Sequence, residues 1–172
     1  GPTWYFWYEK AFHDPALMDA LKNSVLIGVG CTVLSTLLGT LSALALRHKI
    51  PFKETLISVL NLPLVLPEIV LGLSLLVWFA FLKITLGMLS VTLAHTTFAL
   101  SYVTMLVLER AHAIDPMLEE AASDLGATSW QIFWKVTLPL LAPSILSAAL
   151  LAFTLSFDDF LITFFTTGVG GE

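Results

Sequence analysis

Four long charge-free runs dominate the pattern of hydrophobic and polar positions. Between Lys22 and Arg47 lie 24 residues without a charge, and between Glu54 and Lys83 lie 28 with one, Glu68. Between Lys83 and Glu109 lie 25 uncharged residues that include His95, and between Lys135 and Asp158 lie 22, with apolar character resuming over 160–165. A helix crosses the hydrocarbon layer with about 20 apolar residues, so each run is long enough. Backbone groups in lipid must bond within the segment, which predicts helices. A barrel would alternate, and Leu71-Gly72-Leu73-Ser74-Leu75-Leu76-Val77 does not. The expected fold is all-α, a polytopic membrane helical bundle with four main transmembrane helices. The first run is too long for a signal peptide and follows a polar segment.

Composition sharpens this picture. The chain is 57% hydrophobic and 12% charged, against about 45–50% and about 25% in soluble domains, and its mean hydropathy is +0.88. A soluble domain of 172 residues could not hide that much apolar mass, which excludes a soluble enzyme or a disordered linker. The eight Lys and Arg are scattered, so no nucleic-acid partner is expected. Cys31 is alone, which excludes an intrachain disulfide and a multi-cysteine metal site, and it reads as a small packed hydrophobe. His13, His48, His95 and His112 show no metal spacing, and no Ser-His-Asp arrangement or Gly-rich phosphate loop is present. No catalytic residue, metal or cofactor is therefore expected. The aromatic start, Trp4-Tyr5-Phe6-Trp7-Tyr8, suits a membrane–water interface or packing against a loop outside the cytoplasm.

Orientation follows from the basic residues. One side of the membrane receives Arg47, Lys49, Lys53, Arg110 and Lys135, and the other Lys10, Lys22 and Lys83. Positive residues favour the cytoplasm, so segments 47–54 and 109–137 are expected inside, and the N-terminus and 83–88 outside. Segment 109–137 is the longest polar connection and carries helix punctuation. Asp115-Pro116 reads as an N-cap and first helical residue, and Glu119 and Glu120 favour the helix N-terminus. Gly126 supplies a left-handed stop. Thr128-Ser129-Trp130-Gln131 has capping-box spacing for a second short helix, which Leu138-Pro139 is expected to end. That helix would offer Trp130, Ile132, Phe133 and Val136, which need a cover, either lipid headgroups or a groove on a soluble partner.

Glu120-Ala121-Ala122, then Gly126, Val136 and Leu138-Pro139, resembles the EAA loop of ATP-binding-cassette importer permeases, with Val136 where the family has Ile. The resemblance implies a type I ABC importer permease subunit in the bacterial inner membrane that hydrolyses no ATP itself. The 109–137 loop would be its coupling segment, docking into a cleft of the cytosolic ATP-binding subunit dimer, with Glu120 the polar contact and Gly126 the bend. The family core has six helices, so residues 1–172 are expected to be one permease domain incomplete at both ends. Further segments resemble the spermidine/putrescine branch: Phe153-Thr154-Leu155-Ser156-Phe157-Asp158-Asp159, Phe165-Thr166-Thr167-Gly168, Pro67-Glu68, Ala94-His95-Thr96-Thr97-Phe98, and Trp7-Tyr8 ahead of Asn23-Ser24. Permeases for ferric iron, opines and phosphonates share some of these. The implied partners are an extracytoplasmic substrate-binding protein, a second permease, taken as a homologous subunit, and the ATPase.

The acids inside the runs bear on the solute. With the second helix beginning at Thr55, Glu68 lies about 20 Å along it, and Asp158 about 22 Å from Pro143, counting about 1.5 Å per residue. A carboxylate at such depth needs partners or water, which makes Glu68, Asp158 and Asp159 candidates for the substrate path. No Lys or Arg shares their helices, which suggests that the missing cation is the substrate. Pro63 and Pro67 should break the second helix, and Glu68 could instead bond freed backbone groups. Asp158 and Asp159, if both helical, point about 100° apart and cannot face one spot, so one of them could cap a break. Trp78, Phe81, Tyr102, Phe153 and Phe157 could form an amine cage, although such aromatics usually pack or face lipid. His95 is expected to be a hydrogen-bonding residue of the bundle rather than a ligand. A channel or proton-coupled transporter would not need the EAA-like loop, and a membrane enzyme lacks a nucleophile and a base.

Overall fold

The computed structural model describes residues 4–168, without the side chains of Phe6 and Trp7, so part of the aromatic start lies outside the described residues. Helix α1 (Phe6–Phe12) leads into α2 (Pro15–Arg47), α3 (Lys53–Val65), α4 (Glu68–Phe81) and α5 (Met88–Ala113). Short α6 (Pro116–Asp124) and α7 (Ser129–Ile132), a π turn (Phe133–Thr137), α8 (Leu138–Asp158) and α9 (Leu161–Thr166) follow. Three helices are long and apolar enough to cross a membrane, namely α2, α5 and the continuous rod Ser129–Asp158, and α3 with α4 makes up to four.

Helix α2 starts ahead of its charge-free run. Asp14 accepts a hydrogen bond from Ala16 N–H and Pro15 takes the first helical position, giving 33 residues, more than the membrane requires. Helix α5 is the axis of the bundle: 61% of an 18-residue apolar stretch of it is buried, against 22% of the corresponding stretches of α2 and the α8 rod. Small residues allow the close approach. A Cβ on Gly39 of α2 would stand 2.6 Å from a methyl of Val103 on α5. Cys31, Ala43, Val103, Val107, Leu141 and Ala148 are fully buried in the α2–α5–α8 core, and Cys31 is the packed free thiol expected of it. A second cluster joins α4, α5 and α9 through Leu71, Phe79, Ala94, Phe98 and Ile162.

Two expectations change here. The second run is no straight helix, because α3 and α4 meet at 112°. Helix α3 runs through Pro63, and the break falls at Leu66 and Pro67, whose backbones are extended. Proline disfavours the α conformation in the residue before it, and Leu66 takes ψ 140°. Glu68 therefore opens α4, and a depth counted along one straight helix does not apply to it. Nor does Leu138-Pro139 end the helix begun at Ser129. The chain passes through the π turn, where Leu138 N–H donates to Phe133 O five residues back. The wider turn takes Pro139, which has no N–H to give, at the start of α8.

Candidate functional site

Two regions carry the residues singled out in the sequence. The first is the loop. Asp115 caps α6 through Met117 N–H at 3.0 Å, with Pro116 at the first position. Helix α6 closes in a Schellman motif: Ala127 N–H donates to Ala122 O (3.1 Å) and Gly126 N–H to Ser123 O (2.9 Å), with Gly126 at φ +84°. A Cβ on Gly126 would meet nothing within 4 Å, so it is the backbone conformation that calls for glycine. Thr128 and Gln131 form the expected capping box. A cavity of about 380 Å³ opens between α6 and the π turn, lined by Ala122, Gly126, Val136, Ile132 and Lys135. Glu120, Ala121 and Pro139 are exposed, and Leu138 is half-buried. Leu125, Met117, Trp130 and Trp134 present apolar surface, and Trp130 packs edge-on to Trp134.

The loop is held by a contact that the sequence did not disclose. Arg47, at the end of α2, donates to Glu119 Oε1 at 2.7 Å, and the Thr137 hydroxyl of the π turn donates to the same oxygen at 2.7 Å. Burial pushes the Glu119 carboxyl up, but the hydrogen bonds from Arg47 and Thr137 and the charges of Arg47 and His48 outweigh it and hold it below its ordinary value. Glu119, not Glu120, thus anchors α6. No local signal joins residues 72 positions apart. The contact also places segments 47–54 and 109–137 at one end of the bundle, as the distribution of Lys and Arg predicts.

The second region surrounds the break between α8 and α9. Asp158 closes α8, and Asp159 is already extended, at ψ 110°. The chain turns away after Asp159, and both residues line the same two cavities. This corrects the expectation that they cannot share a spot. One cavity, about 270 Å³, gathers Glu68, Asp158 and Asp159 with Phe98, Thr154 and Phe160. The other, about 260 Å³, is lined by Asp158, Asp159, Ser24, His95, Ser156 and Phe157. It shares Ser24, Ile27 and Thr163 with a larger space of about 730 Å³ that reaches Asp19 and Asn23 at the start of α2. Asp159 Oδ1 accepts from Ile162 N–H at 2.9 Å, the capping role foreseen for one of the pair. Among the described residues, Glu68, Asp158 and Asp159 form no ion pair.

Of the five aromatics considered as a cage, only Phe157 lines these cavities. Trp78 and Phe81 stack on each other on an exposed face of α4, Tyr102 packs edge-on to Phe98, and Phe153 stacks on Phe157. Phe98 and Phe160 take their place, and nothing in the periodicity set them apart. His95 is the bundle hydrogen-bonding residue it was expected to be, within reach of Ser156 and Thr163.

Comparison with known proteins adds the family. Residues 35–171 match the model of "Binding-protein-dependent transport system inner membrane component". The chain is 40% identical to the spermidine/putrescine transport system permease protein PotC of Haemophilus influenzae over 173 residues, all of this chain and 67% of that protein. It is 38% identical to the putrescine transport system permease protein PotI of Escherichia coli K12 (95% of this chain, 61% of that protein). It is 37% identical to the PotC protein of the same strain (96% and 63%). The chain thus spans about two thirds of the length of the curated relatives it matches. With helices able to span a membrane and a family model that covers most of its length, the chain belongs to the inner-membrane components of binding-protein-dependent transport systems.

Proposed function

We propose that the chain forms the solute path of an ATP-driven importer for a flexible polyamine-like cation, and that its 109–137 loop, facing the cytoplasm, docks the ATP-binding subunits that hydrolyse the nucleotide. One observation carries the substrate reading: three carboxylates, Glu68, Asp158 and Asp159, converge on one cavity among membrane-spanning helices without an ion pair among the described residues. A carboxylate in an apolar span is costly unless a cation or water meets it. A diamine or triamine suits the site because its ammonium groups are separated by methylene spacers. Each charge can meet a carboxylate while the spacers lie on Phe98, Phe157 and Phe160. The relatives named for spermidine and putrescine transport support the same solute class. The family description, a binding-protein-dependent transport system, supports an extracytoplasmic binding protein that delivers the solute. A second, homologous permease completes the proposed assembly.

The test is uptake of labelled putrescine and spermidine by the assembled transporter carrying Asp158→Asn, Asp159→Asn or Glu68→Gln. Each change keeps the side chain's size and removes its charge. The expected result is a large loss for at least one Asp variant, with normal accumulation in the membrane. Parental uptake by all three, at normal accumulation, would move the reading to ferric iron, an opine or another solute.

A further inference from the structure

A single buried side chain fastens the break that carries Asp158 and Asp159. His95 on α5 is 3% exposed. Its Nδ1 lies 2.7 Å from the Ser156 hydroxyl of α8, and its Nε2 lies 2.9 Å from the Thr163 hydroxyl of α9. One arm thus grips the chain three residues before Asp159 and the other four residues after it.

The direction of these bonds can be worked out. The Thr163 hydroxyl donates its one hydrogen to Asp159 O at 2.9 Å, so towards His95 it accepts, and Nε2 carries a hydrogen. Among the described residues no acidic side chain bonds the buried ring, and an unpaired buried charge is costly. The ring is therefore neutral, and Nδ1 accepts from the Ser156 hydroxyl. The result is one ordered series, Ser156 O–H to His95 to Thr163 to the Asp159 carbonyl, running across the break. Asp159 is tied to α9 twice, through that carbonyl and through Ile162 N–H on its carboxylate. Helix α9 also meets α5 at the Ser90 hydroxyl, whose one hydrogen is shared between Thr166 O and Gly87 O, each at 2.8 Å. A shift of Thr163 is therefore a shift of Asp159.

We propose that His95 is a positioning residue of the solute path: by gripping Ser156 and Thr163 it fixes the angle between α8 and α9, and so sets where the two carboxylates stand in their shared cavities. The inference rests on the cation-path reading above.

The test measures labelled putrescine uptake by the assembled transporter, normalised to the amount in the membrane, for Thr163→Val, Thr163→Ser, Ser156→Ala and, as a marker of the path, Asp159→Asn. Valine keeps the shape of Thr163 and removes its hydroxyl, and serine keeps the hydroxyl. Loss of one such hydrogen bond should raise KM about five- to tenfold in Thr163→Val and in Ser156→Ala, with KM restored in Thr163→Ser. A role confined to folding would lower the amount in the membrane and leave KM where it was. Parental KM in Thr163→Val, beside a loss of uptake in Asp159→Asn, overturns the positioning role and leaves the cation path standing. Parental uptake in Asp159→Asn removes Asp159 from the path and overturns the positioning role argued through it, while the path itself is judged on all three neutral variants as above. Should Thr163→Val fail to accumulate, KM of Ser156→Ala decides: raised supports the role, parental overturns it.

Discussion

Acidic side chains are handled differently in the two regions of this molecule. In the loop, Glu119 is half-buried and receives both the Arg47 guanidinium and the Thr137 hydroxyl, while Glu120 faces outward and needs no partner. Around the α8–α9 break, Glu68, Asp158 and Asp159 line one cavity and, among the described residues, no basic side chain pairs with them. The loop's anchoring acid therefore works on the chain's own shape, strapping α6 to α2 and to the root of α8. The cavity's acids remain available to a cation from outside. The same residue types serve as a strap in one place and as a candidate receptor in the other, and what separates them is whether the fold brings a cation of its own.

The largest effect is expected where charge is removed from the cavity. In the assembled transporter, Asp159→Asn or Asp158→Asn should lower polyamine uptake about tenfold or more, since a hydrogen bond to a charged group contributes about 1.5–3 kcal/mol. Equal uptake at saturating and at trace polyamine concentrations would place these acids outside the path.

Breaking the strap comes next. Arg47→Ala leaves the Glu119 carboxylate without its cation, at a cost of about 1–3 kcal/mol. Expected outcomes are weaker recovery of the ATPase with the solubilised permease and slower transport, with polyamine KM unchanged. The exchange Arg47→Glu with Glu119→Arg should restore part of the recovery. A raised KM in Arg47→Ala would erase the distinction between the two regions.

A smaller change is expected at the turn. Gly126→Ala places a Cβ in open space but at φ +84°, a strain of about 1–2 kcal/mol. It should lower the thermal midpoint of the purified protein by a few degrees, and Gly126→Asn should lower it less, because Asn tolerates left-handed backbone. A drop for Asn as large as that for Ala would argue against the strain.

The smallest effect is a pH dependence. The Glu119 carboxyl is held below its ordinary 4.5, so its stabilising contribution is complete above that value and is lost as pH falls through the lowered one. The stability gap between the parental protein and Glu119→Gln should therefore be constant around neutral pH and close in acid. A gap that persists at low pH would mean that the charge of Glu119 does not stabilise the fold.

Much of this was legible locally. The Asp115 cap, the left-handed Gly126 and the Thr128–Gln131 box each depend on residues within four positions of one another, and the charge-free runs reported the spans because lipid penalises charge. What could not be read was whatever depends on distant partners or on a departure from regular helix. Arg47 and Glu119 meet only after α2 and α5 pack, and His95 reaches Ser156 and Thr163 only across two further helices. The cavities that Asp158 and Asp159 line depend on the chain turning after Asp159 into α9, and the position of Glu68 on the 112° bend at Pro67. The uncharged run between Lys83 and Glu109 located α5 well, whereas counting along regular helices failed at these breaks, which is where the candidate path lies.

The contrast between the two regions can be tested by giving the cavity what the loop already has. Thr154 is exposed and lines the cavity with Glu68, Asp158 and Asp159. Thr154→Lys supplies an ammonium from the chain itself, and Thr154→Gln adds similar length without charge. Uptake of labelled putrescine by the assembled transporter, at equal membrane amounts, should be abolished in Thr154→Lys and largely kept in Thr154→Gln. Parental uptake in Thr154→Lys, or an equal loss in both variants, would contradict the claim that unneutralised carboxylates make this cavity a path for a cation.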